Sequence, residues 1–584
     1  MPQKSPYRTI DLVDLFYKEN VDLKSILNSR KTKVVVSSGI SPYSGVWGKE
    51  QKKHLLNRTL MGYAYRHYKD LDNLSMDQAI DLIFTPDAKP DPPVNDYFNE
   101  ITREEVESSG HIYVPPGEPY VEVGEPSGSP WPRHQSLYAW IFKQNIEQKT
   151  SIHWKMVFFL HNLLATGRGS VKMQFQHMDM LFDSVYRGYK ETIKALTIDP
   201  MMLDYLNLQG SQKDNPDENY ARELQELFTV GKGPNSKFTE EDVVAAARVL
   251  VGWRFSWETK NKHGKIQTYF EPWNHDKEDK QFSAFYNNTL IKGKTGNDGA
   301  TELDELLDMI FNTEECALYL CRRLYQFFVY PVLNETVEAN VITPLAEILR
   351  ANNYDLMAPL KVLLKSEHFY DTSFYNAMIK APTEFVFGLM KEFSFDLRNY
   401  QNETDIPSKV TDAATADYYK YRPIDWNINN QGLNYMEPPS VSGWPAYYQA
   451  PVYDLFWINS YTISQRTQFG NSFGSWGYGL VSGDIEGWVQ LVINRADYLL
   501  TFEDPENLDS VIDEISDRLL GAPIQDRAKA RIKNQVLQGA SENYYAQLVR
   551  TYINTPTEEN KNTLSNRIEN LFGALFQLGE IHLF

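Results

Sequence analysis

The chain has 584 residues, a formal net charge of −19 and a mean hydropathy of −0.47. Its length allows several hydrophobic cores, and its acidity argues against a nucleic-acid partner, which would want clustered Lys and Arg. No run approaches the ~18 apolar residues of a spanning helix, so no transmembrane segment is expected.

The first thirty residues hold no long apolar segment after a basic start, so no signal peptide is read there and the expected compartment is the cytoplasm. Residues 1–50 form an uneven lead-in. Helical patterns begin near KKHLLNRTLMGYAYRHY, and Ser75 with Gln78 has the spacing of a capping box. Residues 86–134 are dense in Pro and Gly and predict a long loop. From Leu137 to about Gly252 the chain reads as nearly all helix. WKMVFFLHNLLATG, residues 154–167, is apolar on all sides, as a buried helix is. Thr239 and Asp242 cap TEEDVVAAARVLVGW, whose valines surround it and predict burial. Residues 254–300 predict a small hairpin or irregular excursion. Helices then resume, a polar linker spans about 400–419, an aromatic loop covers 436–461, and the tail from 484 is helical. Cys316 and Cys321, five apart on a helix, point in different directions, so no mutual disulfide is expected. The fold class read from this pattern is mostly α: a large multi-helix assembly with long Pro/Gly-rich loops and at most a small β excursion. Its expected divisions are a lead-in (1–50), a helical core (51–470) and a C-terminal helical subdomain (471–584).

The stretch DNPDENYARELQELFTVG, residues 214–231, raises the functional question. Asn215 can cap, Pro216 suits the first helical position, and Gly231 offers a stop. Tyr220, Ala221, Leu224, Leu227 and Phe228 make a core stripe. Asn219, Arg222, Glu223 and Glu226 lie on the opposite face, where Arg222 and Glu226 can pair across one turn. That face is either a wet surface or a site. The next helix carries Arg248, which needs a partner if buried. Glu223 and Glu226 are the partners expected for it, either as a structural ion pair or as the acid–base set of a pocket. His161, inside an apolar helix beside Asn162, is either a satisfied core histidine or a functional one. His275-Asp276, in NHDKEDK, is either a solvated turn or part of a divalent-metal site. Trp444, Tyr447, Tyr448, Tyr453, Trp457 and Tyr461 crowd one segment, either as an aromatic core or as a platform for glycan or a partner protein. No HExxH, GxSxG or GxxxxGK[ST] motif occurs.

HLLNRTLMGYAY, FFLHNLLATG, NPDENYARELQELFTVG, TEEDVVAAARVLVGW, NHDKEDK and PPSVSGWPAYYQAP occur in the order of one bacterial family. The chain resembles domain-of-unknown-function family 1800 from about residue 50 to its end. The resemblance implies a largely helical protein, export to the periplasm or cell surface in many members, and a partner resembling alkaline phosphatases and sulfatases. It implies no activity. The family pattern WHNHF stands here as Leu160-His161-Asn162-Leu163-Leu164, so a histidine pair in relatives is reduced to one.

Two functional classes follow. The first is an enzyme, hydrolase-like or cation-assisted, with Glu223, Glu226, Arg222, Arg248 and His161 as catalytic candidates. In it Asn219 and Asn162 bind, and His275 and Asp276 hold a divalent metal. The second is a non-catalytic envelope or assembly protein that binds glycan or a partner through Trp444, Tyr447, Tyr448 and Trp457.

Overall fold

The computed structural model describes residues 38–393, 395–399, 410–474, 478–480, 489–521 and 523–584. Most of the lead-in (1–37) and the first half of the polar linker (400–409) lie outside the described residues. Helices dominate, and among the described residues none is long and apolar enough to cross a membrane.

Helix starts follow the local chemistry. Ser75 accepts from the Gln78 N–H while the Gln78 side chain accepts from Ser75 N–H, and Thr239 and Asp242 form the same reciprocal pair. The helices that frame the centre are α1 (Lys49–Thr59), α2 (Trp131–Ile146), α3 (His153–Leu163), α4 (Val171–Ser184), α5 (Tyr189–Thr197) and α6 (Pro200–Tyr205). Every residue of α3 is buried, as its all-round apolar sequence predicts. The loop before α2 is tied down too. Tyr120 donates to the Ser136 hydroxyl at 2.9 Å, and Ser136 donates to Asp96 at 2.5 Å.

The helix of the motif, α7 (Asn219–Glu223), starts later than Asn215 and Pro216 suggest. The Asp217 carboxylate accepts from the Asn219 N–H at 2.9 Å and holds a turn ahead of the helix. From Leu224 to Thr229 the helix widens to π geometry: Val230 N–H reaches Gln225 C=O, five residues back, at 2.9 Å. Carbonyls of this wide turn accept from other elements, Phe228 O from the Tyr189 hydroxyl at 2.9 Å and Leu227 O from Tyr319 at 2.6 Å. Gly231 then ends the helix at φ +83°, where a Cβ would meet the Tyr319 ring. The next helix, α8 (Glu240–Leu250), is not buried all round. Val244 is 42% exposed, because the helix packs only one face on the core.

Two antiparallel hairpins, β1–β2 (Trp253–Phe255, Thr268–Phe270) and β3–β4 (Lys280–Gln281, Leu290–Ile291), form the expected small excursion. A third sheet was not anticipated. Strands β5 (Phe395–Asn399), β6 (Tyr478–Leu480) and β7 (Val489–Ile493) join in the order β5-β7-β6, with Phe395 opposite Ile493. Beyond α9 (Glu314–Phe328), α10 (Pro382–Glu392), α11 (Pro423–Asn430) and α12 (Ser460–Gly474), five further α-helices follow among the described residues, between Arg495 and Leu575. Cys316 and Cys321 are free and buried.

Candidate functional site

The polar face of α7 is an ion-pair network at the surface. Asn219 is exposed, and Arg222 spans Glu240 (2.7 Å) and Glu218 (3.1 Å), with Glu226 at 3.8 Å and Lys232 beyond it. Glu223 is half-buried, and burial followed by the nearby Glu226 charge raises its carboxyl above the ordinary value. The expected partnership of Arg248 with Glu223 or Glu226 does not form. Arg248 Nε donates to Asp276 Oδ2 at 2.6 Å and Nη2 to Oδ1 at 3.3 Å, because α8 presents it to the loop beyond β2 rather than to α7. Burial works to raise Asp276, and Arg248 with the Glu278 N–H outweighs it, leaving the carboxyl below its ordinary range.

His275 turns the other way. Its Nδ1 faces Val251 O at 2.8 Å, and its Nε2 lies 3.0 Å from Glu302, which also pairs with buried Lys280 at 2.7 Å. His275 and Asp276 therefore do not converge on one point. Among the described residues no group of three or more His, Cys, Asp or Glu is placed to hold a metal ion. The aromatic segment also turns inward. Trp444, Tyr447 and Trp457 are buried, Trp444 on Phe158, Tyr447 on Phe327 and Trp457 on Tyr447, and Tyr448 is half-buried, so these four rings form no open platform.

His161 and Asn162 are where polar chemistry gathers. Asn162 Oδ1 accepts from Trp444 N–H at 3.0 Å. Gly443, at φ +83°, lies so close that a Cβ would stand 2.3 Å from Asn162 O. The HNLL and SGWP motifs are thus one contact. His161 Nε2 donates to Tyr435 O at 2.8 Å, which leaves its Nδ1 with a lone pair and no partner. Burial, then the neighbouring His177, pulls His161 down to about 3, so the ring is neutral at pH 7.

His177, on α4, faces His161 with ring centroids 6.2 Å apart. Its Nδ1 lies 3.0 Å from Asp199 Oδ1, both side chains are almost fully buried, and its Nε2 has no partner. Asp199 caps α6, accepting from Met201 N–H and Met202 N–H at 3.1 and 3.2 Å. One turn from His177, Gln174 sits among His134 and Tyr138, with neither amide atom in an aligned hydrogen bond. The Trp444 indole N–H is also unpartnered. Buried polar groups are rarely left so, and here they cluster.

Nearer the surface stands Arg168, 54% exposed, whose Nε lies 3.4 Å from Glu437; Tyr138 donates to the same carboxylate at 3.4 Å. The Arg168 guanidinium lies 5.7 Å over the ring of exposed Trp131. Burial, then Glu437, pushes Asp425 up to about 6. A separate cleft of about 600 Å³, lined by His67, Asp70 and Asp87, offers no free imidazole: His67 faces Gln148 O through Nε2 and Ala64 N–H through Nδ1.

Of the residues singled out from the sequence, His161, Asn162 and Trp444 lie in this cluster. His177, Asp199, Gln174, Arg168, Asp425 and Glu437, also in or near it, were not singled out. The available signal was Asp199-Pro200, an N-cap followed by Pro, and the Gln174–His177 spacing that puts both on one helix face.

The chain belongs to the family described as a protein of unknown function (DUF1800), whose model matches residues 54–558. No curated protein and no solved structure matches it.

Proposed function

We propose that the chain is a hydrolase whose reacting centre is the seam between α2, α3 and α4, with His177 as general base. The observation that carries this is the buried Asp199–His177 pair with a free Nε2, whose ring faces His161, which in turn meets Trp444 with its unpartnered indole N–H. A base oriented by a carboxylate and a donor fixed in a dry site are the parts that acyl transfer to water needs.

The substrate class is an ester or amide. His177 Nε2 takes a proton from water as the water oxygen bonds to the carbonyl carbon. The carbonyl π pair moves onto oxygen, where the Trp444 indole N–H donates to it. The C=O re-forms, the bond to the leaving oxygen or nitrogen breaks, and His177 returns the proton to that atom. Asp199 keeps the Nδ1–H tautomer and stabilises the ring while it is charged. Asn162 and His161 are positioning residues. Arg168, Glu437 and the Trp131 face nearer the surface suit a substrate with a polar head and an apolar or sugar-like plane.

The test is hydrolysis of a panel of p-nitrophenyl esters and anilides by the whole chain. His177→Gln is expected to lower kcat/KM by about 10²–10⁴ while still unfolding in one cooperative transition. No turnover above buffer by the wild type on either class, or a His177→Gln rate equal to wild type, would overturn the assignment.

A further inference from the structure

The interior around Glu384, on the far side of α3 from the seam, holds more positive charge than its carboxylates answer. Arg58 from α1, Lys155 from α3 and Arg466 from α12 are 0%, 1% and 0% exposed, and half-buried Lys380 stands just before α10. Glu384 is their hub, its field reaching all four. Its oxygens are already engaged: Oε1 pairs with Lys155, and Oε2 accepts from Ala381 N–H at 2.7 Å. Asp454, whose field reaches Arg58, accepts from Ile379 N–H. Among the described residues no carboxylate lies within ion-pair distance of Arg58, Lys380 or Arg466, whereas Lys155 has Glu384.

The hydrogen bonding is as incomplete as the charge. Arg466 gives Nη2 to Lys380 O at 2.9 Å, and its Nε and Nη1 have no partner. Arg58 gives Nη2 to Phe374 O at 2.9 Å and Nη1 to Met378 Sδ at 2.6 Å, and its Nε has no partner. The Thr383 hydroxyl is unpartnered as well. Buried Lys391 shows the contrast, with Nζ donating to three oxygens at 2.8–2.9 Å. Lys can shed its proton when buried, and burial pulls Lys380 down to about 8; a guanidinium does not. Two arginines therefore keep their charge in a dry interior, at a cost of several kcal/mol per ion unless a counter-charge is supplied.

We propose that this interior binds a small tetrahedral oxyanion, of the phosphate or sulfate class, between Arg58, Lys380 and Arg466. Several unused cationic and hydroxyl donors, with no unused carboxylate among them, suit a compact anion with several acceptor oxygens. The site is independent of the hydrolase assignment and would serve as a structural anion lock between α1, α10 and α12.

The test uses the whole chain dialysed into sodium chloride buffer. Sodium phosphate and sodium sulfate are each titrated at constant ionic strength, read by calorimetry and by the thermal midpoint. The expected result is one equivalent bound per chain, a saturating rise in midpoint, and an affinity at least tenfold weaker in Arg466→Met. In chloride alone Arg466→Met should melt no lower than wild type, since it removes an unanswered charge. If that variant does not fold, Lys380→Met is read in the same way. Two results would overturn the proposal. One is no saturable binding of either anion by the wild type. The other is an equal response in the variant, which would mean an adventitious ion only.

Discussion

Asp199 is the residue on which the seam's geometry turns, and its loss can be sized. Its Oδ1 accepts from Met201 N–H, Met202 N–H and His177 Nδ1–H. Asp199→Ala removes an N-cap, which costs ~1 kcal/mol, and strands the His177 N–H in an interior where an unmade hydrogen bond costs ~1–3 kcal/mol. The sum is ~2–4 kcal/mol, large against the 5–15 kcal/mol that holds a typical protein folded. Asp199→Asn keeps an acceptor oxygen for all three donors and loses only the charge, so ~1 kcal/mol is expected. The assay is urea unfolding followed by circular dichroism at pH 7.5, with m-values compared to confirm a common denatured state. Hydrolysis should not track stability. Both variants lose most activity, since a neutral partner stabilises the charged ring poorly. A cost below 1 kcal/mol for Asp199→Ala, or equal costs for Ala and Asn, would show that the dyad is not packed as described.

Other substitutions have equally definite outcomes. Gly443→Ala places a Cβ 2.3 Å from Asn162 O in a left-handed conformation, so a loss of ~2–4 kcal/mol is expected in the same assay, with activity falling as Trp444 shifts. Glu302→Gln removes the carboxylate from fully buried Lys280, and a loss of ~3–5 kcal/mol with no change in metal content by elemental analysis would mark His275 as structural. Arg222→Ala breaks only surface pairs and should cost under ~1 kcal/mol in the same unfolding assay. Asp425 is raised to about 6, so between its unfolded value near 4 and pH 6 the folded chain holds a proton that the unfolded chain releases. Its contribution is therefore present at low pH and lost as pH climbs through 6. Asp425→Asn should gain on wild type by ~1–3 kcal/mol between pH 4.5 and pH 8, measured as the pH dependence of the unfolding midpoint.

Much of the architecture was decided by short-range chemistry and could be read from residues alone. Caps at Ser75 and Thr239, the glycine stop at Gly231 and the apolar circumference of α3 all act within a few residues, where spacing maps directly onto geometry. Family membership was legible for the same reason, since its motifs are contiguous. The third sheet was not, because β5 and β7 pair across about a hundred residues and neither strand is marked as strand until it finds the other. The site divided along the same line. His161 and Asn162 were visible because a polar pair inside an apolar helix is a local anomaly, whereas Asp199 looks like an ordinary cap until α6 packs on α4. Arg248 could have met either α7 or the loop at Asp276, and the turn of α8 about its own axis chose the loop. Burial, partner choice and the company a histidine keeps depend on how helices pack, and packing is a property of the whole core rather than of any window along the chain.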